Sequence, residues 1–306
     1  MNRPRHSYAG HLRLMQLSSI DLFVFVEGTK SDPYFYAGIC ASIPDLHVRY
    51  EVCTARQLPG ETGGKHALLS YFSFLRQKEA LVSSLEGQET SCIFFLDKDM
   101  DDVQRTKKRS QHVVYTEYYD VQNYIFMHGD LLTGAASAAS VGPARLRAEL
   151  SDAPKWCLRI AILWHEWISL CLRVLEERIS CEANYRVVSR IQTRPCGPID
   201  AVRYADLIRR VARRSGLPVA VFRQRLAATS RKVDRYFASG QHHRVFKGRW
   251  FVTVLADDID RIMAGRPYDG VGLASRLASS VAGTLDFTEP WASHFRDPIR
   301  NVTAML

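Results

Sequence analysis

Two apolar runs decide the fold, 22–26 within residues 21–28 (DLFVFVEG) and 92–96 within residues 91–99 (SCIFFLDKD). Both are short and apolar throughout, which is typical of strands that are buried on both faces of a parallel sheet. Acidic residues follow each run at once: Glu27 after the first, and Asp97 and Asp99 after the second. The same two runs therefore predict both the centre of a sheet and a group of carboxylates at one edge of it.

Strand-like and helix-like segments alternate along the first half of the chain. Further strands are predicted at 48–53 (VRYEVC) and 112–115 (HVVY), and the apolar spacing within 65–78 predicts a helix. Asp32 is a suitable cap for another helix that begins at Pro33, because proline is favoured at the first helical position. This alternation predicts an α/β fold with a mainly parallel sheet flanked by helices.

The second half of the chain has mostly helical periodicity. Helices are predicted at 155–179, at 199–214 and from 218 to about 228. The small and polar residues at 134–140 (GAASAAS) are typical of a linker. We therefore predict an α/β domain over residues 1–135 and a mostly helical, basic domain over residues 136–306.

Basic charge is concentrated in one region. The 306 residues carry a net charge of +9, and residues 201–250 alone hold 13 Lys and Arg against two acidic residues. This excess favours a surface that binds phosphate groups, although solvated helix faces would explain the same charges. Residues 241–250 (QHHRVFKGRW) mix basic and aromatic side chains, which suits phosphate contact and base stacking unless Phe246 and Trp250 are core residues. The predicted nucleic-acid contacts are Arg231, Lys232, Arg235, His243, Arg244, Lys247 and Arg249.

Membrane and disulfide signals are absent from the sequence. No apolar run approaches the roughly 18 residues of a membrane span, and the N-terminus lacks the apolar region of a secretory signal. The seven cysteines are odd in number and form no CxxC pair, which fits free thiols in a reducing cytoplasm better than disulfides or zinc. We therefore expect a cytoplasmic protein without membrane association.

Glu27, Asp97 and Asp99 are expected to converge, because ligands of open parallel sheets bind beyond the carboxyl ends of the strands. This requires the two strands to be neighbours, and Asp99 points the same way as Asp97 only if the backbone stays extended. Carboxylates gathered at one point suit Mg²⁺ or Mn²⁺, which can polarise a phosphodiester. Asp101 is a further candidate ligand, although Asp101 and Asp102 also fit a polar turn.

A glycine-rich loop at 60–66 (GETGGKH) leads into the helix predicted at 65–78. It is not a P-loop, because Pro59 stands where the first glycine is required and His66 where Ser or Thr is required. The helix N-terminus can still accept a phosphate. Lys65 is therefore a candidate contact to phosphate or to the carboxylates, with a plain surface lysine as the equal alternative.

These blocks together resemble a Toprim domain, whose pattern is an apolar strand ending in Glu-Gly and a later one ending in Asp-x-Asp. The stretches 25–36 (FVEGTKSDPYFY), 94–102 (FFLDKDMDD) and 118–126 (YYDVQNYIF) are more specifically similar to small Toprim nucleases related to the OLD family. Among these, the likeness is greatest to the AriB group, the effectors of PARIS anti-phage systems. The resemblance covers about residues 20–130.

The resemblance implies a Toprim-type sheet, a divalent metal, phosphodiester chemistry and a helical C-terminal half that supports dimerisation. Glu27 would be the general acid/base or a metal ligand, and Asp97 and Asp99 would hold metal. Members of the group act on tRNA beside an ABC-type ATPase that restrains them, and this chain has no Walker motif of its own. The implied protein is a homodimeric, Mg²⁺- or Mn²⁺-dependent endoribonuclease that cleaves tRNA as a toxic effector.

One position departs from the pattern of the group. Its members often carry an acidic residue within a motif of the type HDIENY, and the matching stretch 119–124 (YDVQNY) has Gln122 there. An amide is a weaker and neutral ligand, so this departure puts a further metal ligand in doubt. Asp120 and Glu117 are candidates to replace it, and Asn123 is a candidate to order the site instead.

Three other functions stay open at this stage. One is a DNA endonuclease of the OLD type. The second is a non-catalytic Toprim module that binds nucleic acid or an ATPase. The third is a structural interaction protein whose basic face docks an acidic partner.

Overall fold

The computed structural model describes residues 7–59, 63–185 and 191–306. The chain forms two compact units. The first comprises Met1–Asp97, Lys107–Thr116 and Asp286–Leu306, and the second comprises Lys98–Thr106 and Glu117–Leu285. Both units combine segments that are distant in the sequence.

A mixed five-stranded sheet forms the centre of the first unit. Its strands are β1 (Leu22–Val26), β2 (Tyr50–Thr54), β3 (Val82–Leu85), β4 (Gln88–Leu96) and β5 (Val113–Tyr115). Parallel pairings join β1 to β2, β1 to β4 and β4 to β5, whereas β3 pairs with the start of β4 as an antiparallel hairpin. The predicted α/β class is confirmed, the sheet is mixed, and the antiparallel β3 hairpin was not predicted.

Helices cover both faces of this sheet because its central strands, β1 and most of β4, are apolar and buried on both sides. The helices of the first unit are α1 (Tyr8–Gln16), α2 (Asp32–Ala41), α3 (Gly64–Gln77) and α14 (Ser293–Thr303). Successive side chains of a strand point to opposite faces. Accordingly, the Phe94 ring lies 4.8 Å from Phe25 and 5.5 Å from Phe72 of α3. The Phe95 ring lies 4.4 Å from Tyr36 of α2 and 5.9 Å from Phe295 of α14.

The second unit is helical in all the elements that the structure describes. Its helices are α4 (Asp101–Gln104), α5 (Val121–His128), α6 (Leu131–Ala139), α7 (Arg147–Leu150), α8 (Ala153–Leu163), α9 (His165–Glu176), α10 (Ala201–Arg214), α11 (Val219–Ala238), α12 (Arg249–Ile262) and α13 (Leu273–Ala282). In this unit α9 packs against α11, and α6 packs against α13. Aromatic rings of Phe126, Trp156 and Phe251 contact one another in its core.

The expectation of a linker at 134–140 is wrong. These residues belong mostly to α6, which is capped by the Asp130 side chain and buries all four of its alanines. Their small size serves close packing, because a Cβ on Gly134 would lie 2.6 Å from the Cα of Val281 in α13. Small residues occur both in linkers and where two helices pack closely, so their presence in the sequence does not distinguish the two.

Helix boundaries in the second half also differ from the prediction. The predicted helix 155–179 is two helices, α8 and α9, with a break at Trp164. The helix predicted from 218 to about 228 continues to Ala238. The compact units follow a different division from the predicted domains 1–135 and 136–306, because Asp286–Leu306 joins the unit of the sheet.

None of the described helices is both long enough and apolar enough to span a membrane. All seven cysteines lie within the described residues and are free thiols, five of them buried.

Candidate active site

Glu27 and Asp97 meet at the carboxyl edge of the sheet. The register of β1 with β4 places Val26 beside Phe95, so that both strands end at the same level. The Asp97 backbone N–H donates a hydrogen bond of 2.9 Å to Glu27 Oε1. The predicted neighbourhood of the two strands, and with it the approach of Glu27 to Asp97, is confirmed.

Lys65 joins these two residues. It is the second residue of α3, and its Nζ lies 4.0 Å from Glu27 Oε1. The side chains of Lys65 and Glu27 are only 18% and 14% exposed, so the ion pair is sheltered from water. We call Glu27, Lys65 and Asp97 the Glu27 cluster. Of the alternatives for Lys65, the structure favours a contact to the carboxylates over a plain surface position.

Backbone conformation brings Lys65 to this place. Gly63 and Gly64 have φ angles of 91° and 79°, a left-handed region that favours glycine, and α3 begins directly there. The rest of the glycine-rich loop, residues 60–62, lies outside the described residues.

The turn after Glu27 is fixed by Asp32. Its carboxylate accepts a hydrogen bond of 2.7 Å from the Gly28 N–H and one from the Ser31 hydroxyl. Burial raises the pKa of Asp32 above its usual value. The expected cap role is therefore corrected: Asp32 is itself the first residue of α2 and binds the amide of the Glu27–Gly28 turn instead. The sequence signal that could have identified it is the four-residue spacing from Gly28.

Asp99 and Asp101 belong to the second unit. Asp99 has a φ angle of 47°, and its N–H donates to the Tyr119 carbonyl at 2.8 Å. The extended backbone required for Asp99 to point with Asp97 is therefore not present. Asp101 begins α4 and accepts a hydrogen bond of 3.0 Å from the Thr106 hydroxyl, which matches the polar-turn alternative. The metal-ligand roles of both residues stay predictions.

Lys98 was not singled out from the sequence, yet it is almost fully buried within the second unit. Its Nζ donates to the Arg244 carbonyl at 2.8 Å and lies 3.3 Å from Asp102 Oδ2. A lysine between two aspartates gives no sequence signal of burial. These two contacts pair the buried ammonium, as burial of a charge requires.

Asp120 and Asn123 form the buried core of the YDVQNY stretch. Asp120 caps α5, and its Oδ1 accepts from both the N–H and the Nδ2 of Asn123. Asn123 Nδ2 also donates to the Phe246 carbonyl at 3.0 Å. Burial, reinforced by Asp99 and opposed by Lys247, raises the pKa of Asp120 to about 7. These contacts agree with an ordering role for Asn123, and they leave the roles of Gln122 and Glu117 as predictions.

The segment 241–250 is largely internal. Phe246 and Trp250 are buried, so they are core residues and present no exposed ring face to a base. His243 is also buried, and burial with nearby cationic groups lowers its pKa to about 3, which makes it neutral at neutral pH. Of the seven predicted nucleic-acid contacts, Arg231, Lys232, Arg235 and Arg249 are exposed, and Arg244 and Lys247 are partly buried.

No group of three or more His, Cys, Asp and Glu side chains that could hold a metal ion occurs within residues 7–59, 63–185 and 191–306. The Glu27 cluster offers two carboxylates. Mg²⁺ is commonly bound by one or two carboxylates together with waters and substrate phosphates. The residues of the cluster therefore fit a metal whose coordination is completed by substrate and water, and they do not form a closed protein cage.

The chain was compared with models of known protein families and with curated proteins. No family model matches the sequence, and no curated protein matches it.

Proposed function

We propose that the chain is a divalent-metal-dependent nuclease with a Toprim-type catalytic domain. One observation carries this proposal: Glu27 Oε1, at the end of β1, accepts the Asp97 N–H at the end of the parallel neighbour β4, with Lys65 Nζ 4.0 Å away. Two carboxylates and a lysine at the carboxyl edge of a parallel sheet are suited to phosphodiester chemistry.

Each residue of the Glu27 cluster has a distinct part in the proposed reaction. Glu27 and Asp97 would hold Mg²⁺ or Mn²⁺, which would neutralise charge on the substrate phosphate and polarise it. Lys65 balances the charge of Glu27 before substrate arrives and offers an ammonium to a phosphate oxygen. Glu27 accepts a proton from the attacking group if it acts as general base.

The wider proposal follows from the resemblance to the AriB group. The substrate is RNA, in particular tRNA, and the protein acts as the toxic effector of an anti-phage system in the cytoplasm. It works as a homodimer beside a separate ABC-type ATPase. The exposed cations Arg231, Lys232, Arg235 and Arg249 hold the phosphate backbone, because a cationic surface binds nucleic acid largely through phosphate contacts.

Replacement of Glu27 tests the proposal. Glu27→Gln keeps the shape of the side chain and an oxygen for the Asp97 N–H but removes the negative charge. We expect cleavage of total tRNA in Mg²⁺ or Mn²⁺ to fall about 100-fold or more, and toxicity in cells to disappear. The measurement is the rate of appearance of cut tRNA from purified protein, with duplex DNA tested in parallel.

Glu89→Gln is the matched control, since Glu89 is an exposed residue of β4 outside the Glu27 cluster. It should cleave at the rate of the unchanged protein. Full activity of a folded Glu27→Gln protein would contradict the proposal. Cleavage of duplex DNA and not of tRNA would indicate that the protein is an OLD-type DNA endonuclease and not a ribonuclease.

A second candidate is a non-catalytic Toprim module that binds nucleic acid or an ATPase. Two observations favour it: Gln122 stands where the related group has an acid, and the described residues contain no group of three metal-binding side chains. This candidate predicts no metal-dependent cleavage by the isolated chain. It also predicts that Asp97→Ala leaves the activity of the whole complex unchanged.

A further inference from the structure

A cleft of about 650 Å³ lies within the second unit, beside the C-terminal half of α11. Lys232, Arg235, Tyr236 and Ser239 line it from α11 and the end of that helix, and their spacing of three or four residues places them on one face. The facing walls come from α9, from the end of α4 and from the turn that follows α11. We call this space the α11 cleft. It lies in the size range of small-ligand sites.

The charges that face the α11 cleft do not cancel. Its two acidic residues are engaged by cations, since Glu176 lies 3.3 Å from Arg173 Nη1 and Asp102 lies 3.3 Å from Lys98 Nζ. Lys232 also pairs with Glu176 at 2.6 Å. Arg105 and Arg235 are exposed, and neither forms an ion pair with the described residues. Two guanidinium groups thus face the cleft without a counter-charge.

Polar and aromatic groups lie next to these guanidinium groups. The turn after α11 is closed by a hydrogen bond of 2.7 Å from the Gln241 N–H to the Tyr236 carbonyl. Gly240, at a φ angle of 69°, makes this turn possible. Tyr236 and Gln241 therefore line the same space as Arg235. A phosphate, a planar ring and hydrogen-bonding edges are the features of a nucleotide that such a lining recognises.

We propose that the α11 cleft binds one nucleotide of a single-stranded nucleic acid, with Arg105 and Arg235 on its phosphate and Tyr236 against its base. The inference deepens the proposed function and rests on it for the choice of nucleic acid as ligand. It adds Arg105, Tyr236 and Gln241 to the residues that contact substrate. It also gives Arg235 a role that Arg231 and Arg249 do not share, because those two arginines do not line the cleft.

Binding of a fluorescent uridine dodecamer, measured by anisotropy in EDTA, tests this site without cleavage of the probe. We expect Arg235→Ala and Arg105→Asn each to weaken binding about tenfold. Asparagine suits position 105 because Arg105 has a φ angle of 57°. Arg223→Ala is the matched control: Arg223 is an exposed arginine of the same helix, 12 residues before Arg235 and about 18 Å along its axis. It should change affinity less than twofold.

Tyr236→Ala separates base recognition from general anion binding. It should weaken binding of the uridine dodecamer about tenfold and leave binding of a 12-unit inorganic polyphosphate unchanged. A deoxyuridine dodecamer shows whether the ribose contributes. Each variant is used only if its circular dichroism and thermal unfolding match those of the unchanged chain.

The outcomes distinguish this inference from the proposed function. If the unchanged chain binds the dodecamer and the cleft variants bind equally well, the α11 cleft is not a nucleotide site and the nuclease proposal stands. If Tyr236→Ala weakens binding of polyphosphate as much as binding of the dodecamer, the cleft is a general anion-binding surface and the inference is wrong. If the unchanged chain does not bind the dodecamer, the inference fails, and the nuclease proposal is decided separately by cleavage of tRNA in Mg²⁺ or Mn²⁺.

Discussion

Gly28 has no room for a side chain. A Cβ at this position would lie 2.4 Å from Asp32 Oδ1 and 2.6 Å from its Oδ2, far inside contact distance. The same carboxylate accepts the Gly28 N–H, so any larger residue would have to displace Asp32 from the amide that it binds. The glycine after Glu27 is therefore required by the close approach of Asp32, and this approach sets the path of the chain directly after Glu27.

Gly28→Ala should lower the free energy of unfolding by about 2 kcal/mol, because the added methyl group overpacks the turn and disturbs its hydrogen bond. Urea denaturation followed by circular dichroism measures the change. Gly142→Ala is the control, since nothing lies within 4 Å of a Cβ there and its φ angle is −68°. A Gly28→Ala protein as stable as the control variant would contradict the role given to Asp32.

The sequence locates Glu27 and Asp97 correctly because both follow apolar runs, and parallel neighbours end at the same edge of a sheet. The backbone conformation of Asp99 could not be predicted from the sequence. Its left-handed backbone is set by tertiary contacts, including the bond of its N–H to Tyr119. The cleft residues Arg105 and Tyr236 carry no motif either, because their proximity depends on how α4 and α11 each pack against α9.

At the scale of elements, the apolar strands were the easiest to predict. β1 is buried at all five positions, so its composition alone indicates a central strand. The helix α6 was mistaken for a linker because small residues suit both a loop and a close helix contact. The composition of the segment 241–250 is ambiguous in the same way. Basic and aromatic residues occur together both in a nucleic-acid-binding surface and in a buried turn with charged neighbours.

Hydrogen bonds to backbone carbonyls explain why this segment is internal. Tyr119 N–H donates to the His243 carbonyl, Lys98 Nζ to that of Arg244, and Asn123 Nδ2 to that of Phe246. The donors precede their acceptors by more than a hundred residues. No local pattern reveals such pairings, so the burial of His243 could not be predicted from the sequence.

Burial of His242 and His243 makes the helical unit sensitive to acid. Burial lowers the pKa of His242 to about 4, and burial with His242, Arg244, His128 and Lys98 lowers that of His243 to about 3. In the unfolded chain a histidine titrates near pH 6.5. The unfolded state therefore binds more protons below that pH, and the stability present above pH 6.5 is lost as the pH falls towards 4.

His243→Gln should flatten this dependence by about 1.4 kcal/mol per pH unit, the contribution of one titrating group. The measurement is the free energy of unfolding at intervals between pH 6.5 and pH 4. His47→Gln is the control for the substitution itself, because His47 is exposed and lies outside the helical unit. An unaltered slope in His243→Gln would mean that the imidazole is accessible to protons in the folded protein.

At the scale of the whole molecule, the chain builds each compact unit from separated segments. Asp286–Leu306 belongs to the first unit, the unit of the sheet, although more than 150 residues of the second unit precede it in the chain. Within the first unit, the Phe295 ring contacts Phe35 at 5.4 Å, Tyr36 at 5.7 Å and Phe95 at 5.9 Å. The amphipathic pattern of α14 is visible in the sequence, but the surface against which α14 packs is not. Two faces of the sheet and several helices offer apolar surfaces.

Phe295→Ala should destabilise the sheet unit by about 3–5 kcal/mol, because it leaves a cavity among fully buried rings. Tyr34→Ala is the control, since Tyr34 belongs to α2 but is 52% exposed, and its loss should cost well under 1 kcal/mol. Thermal unfolding measures both variants. Because β4 leads directly into Asp97, the proposed nuclease activity of Phe295→Ala should disappear at a lower temperature than that of the control and remain at low temperature. A variant as stable as Tyr34→Ala would show that α14 does not complete the core of the sheet.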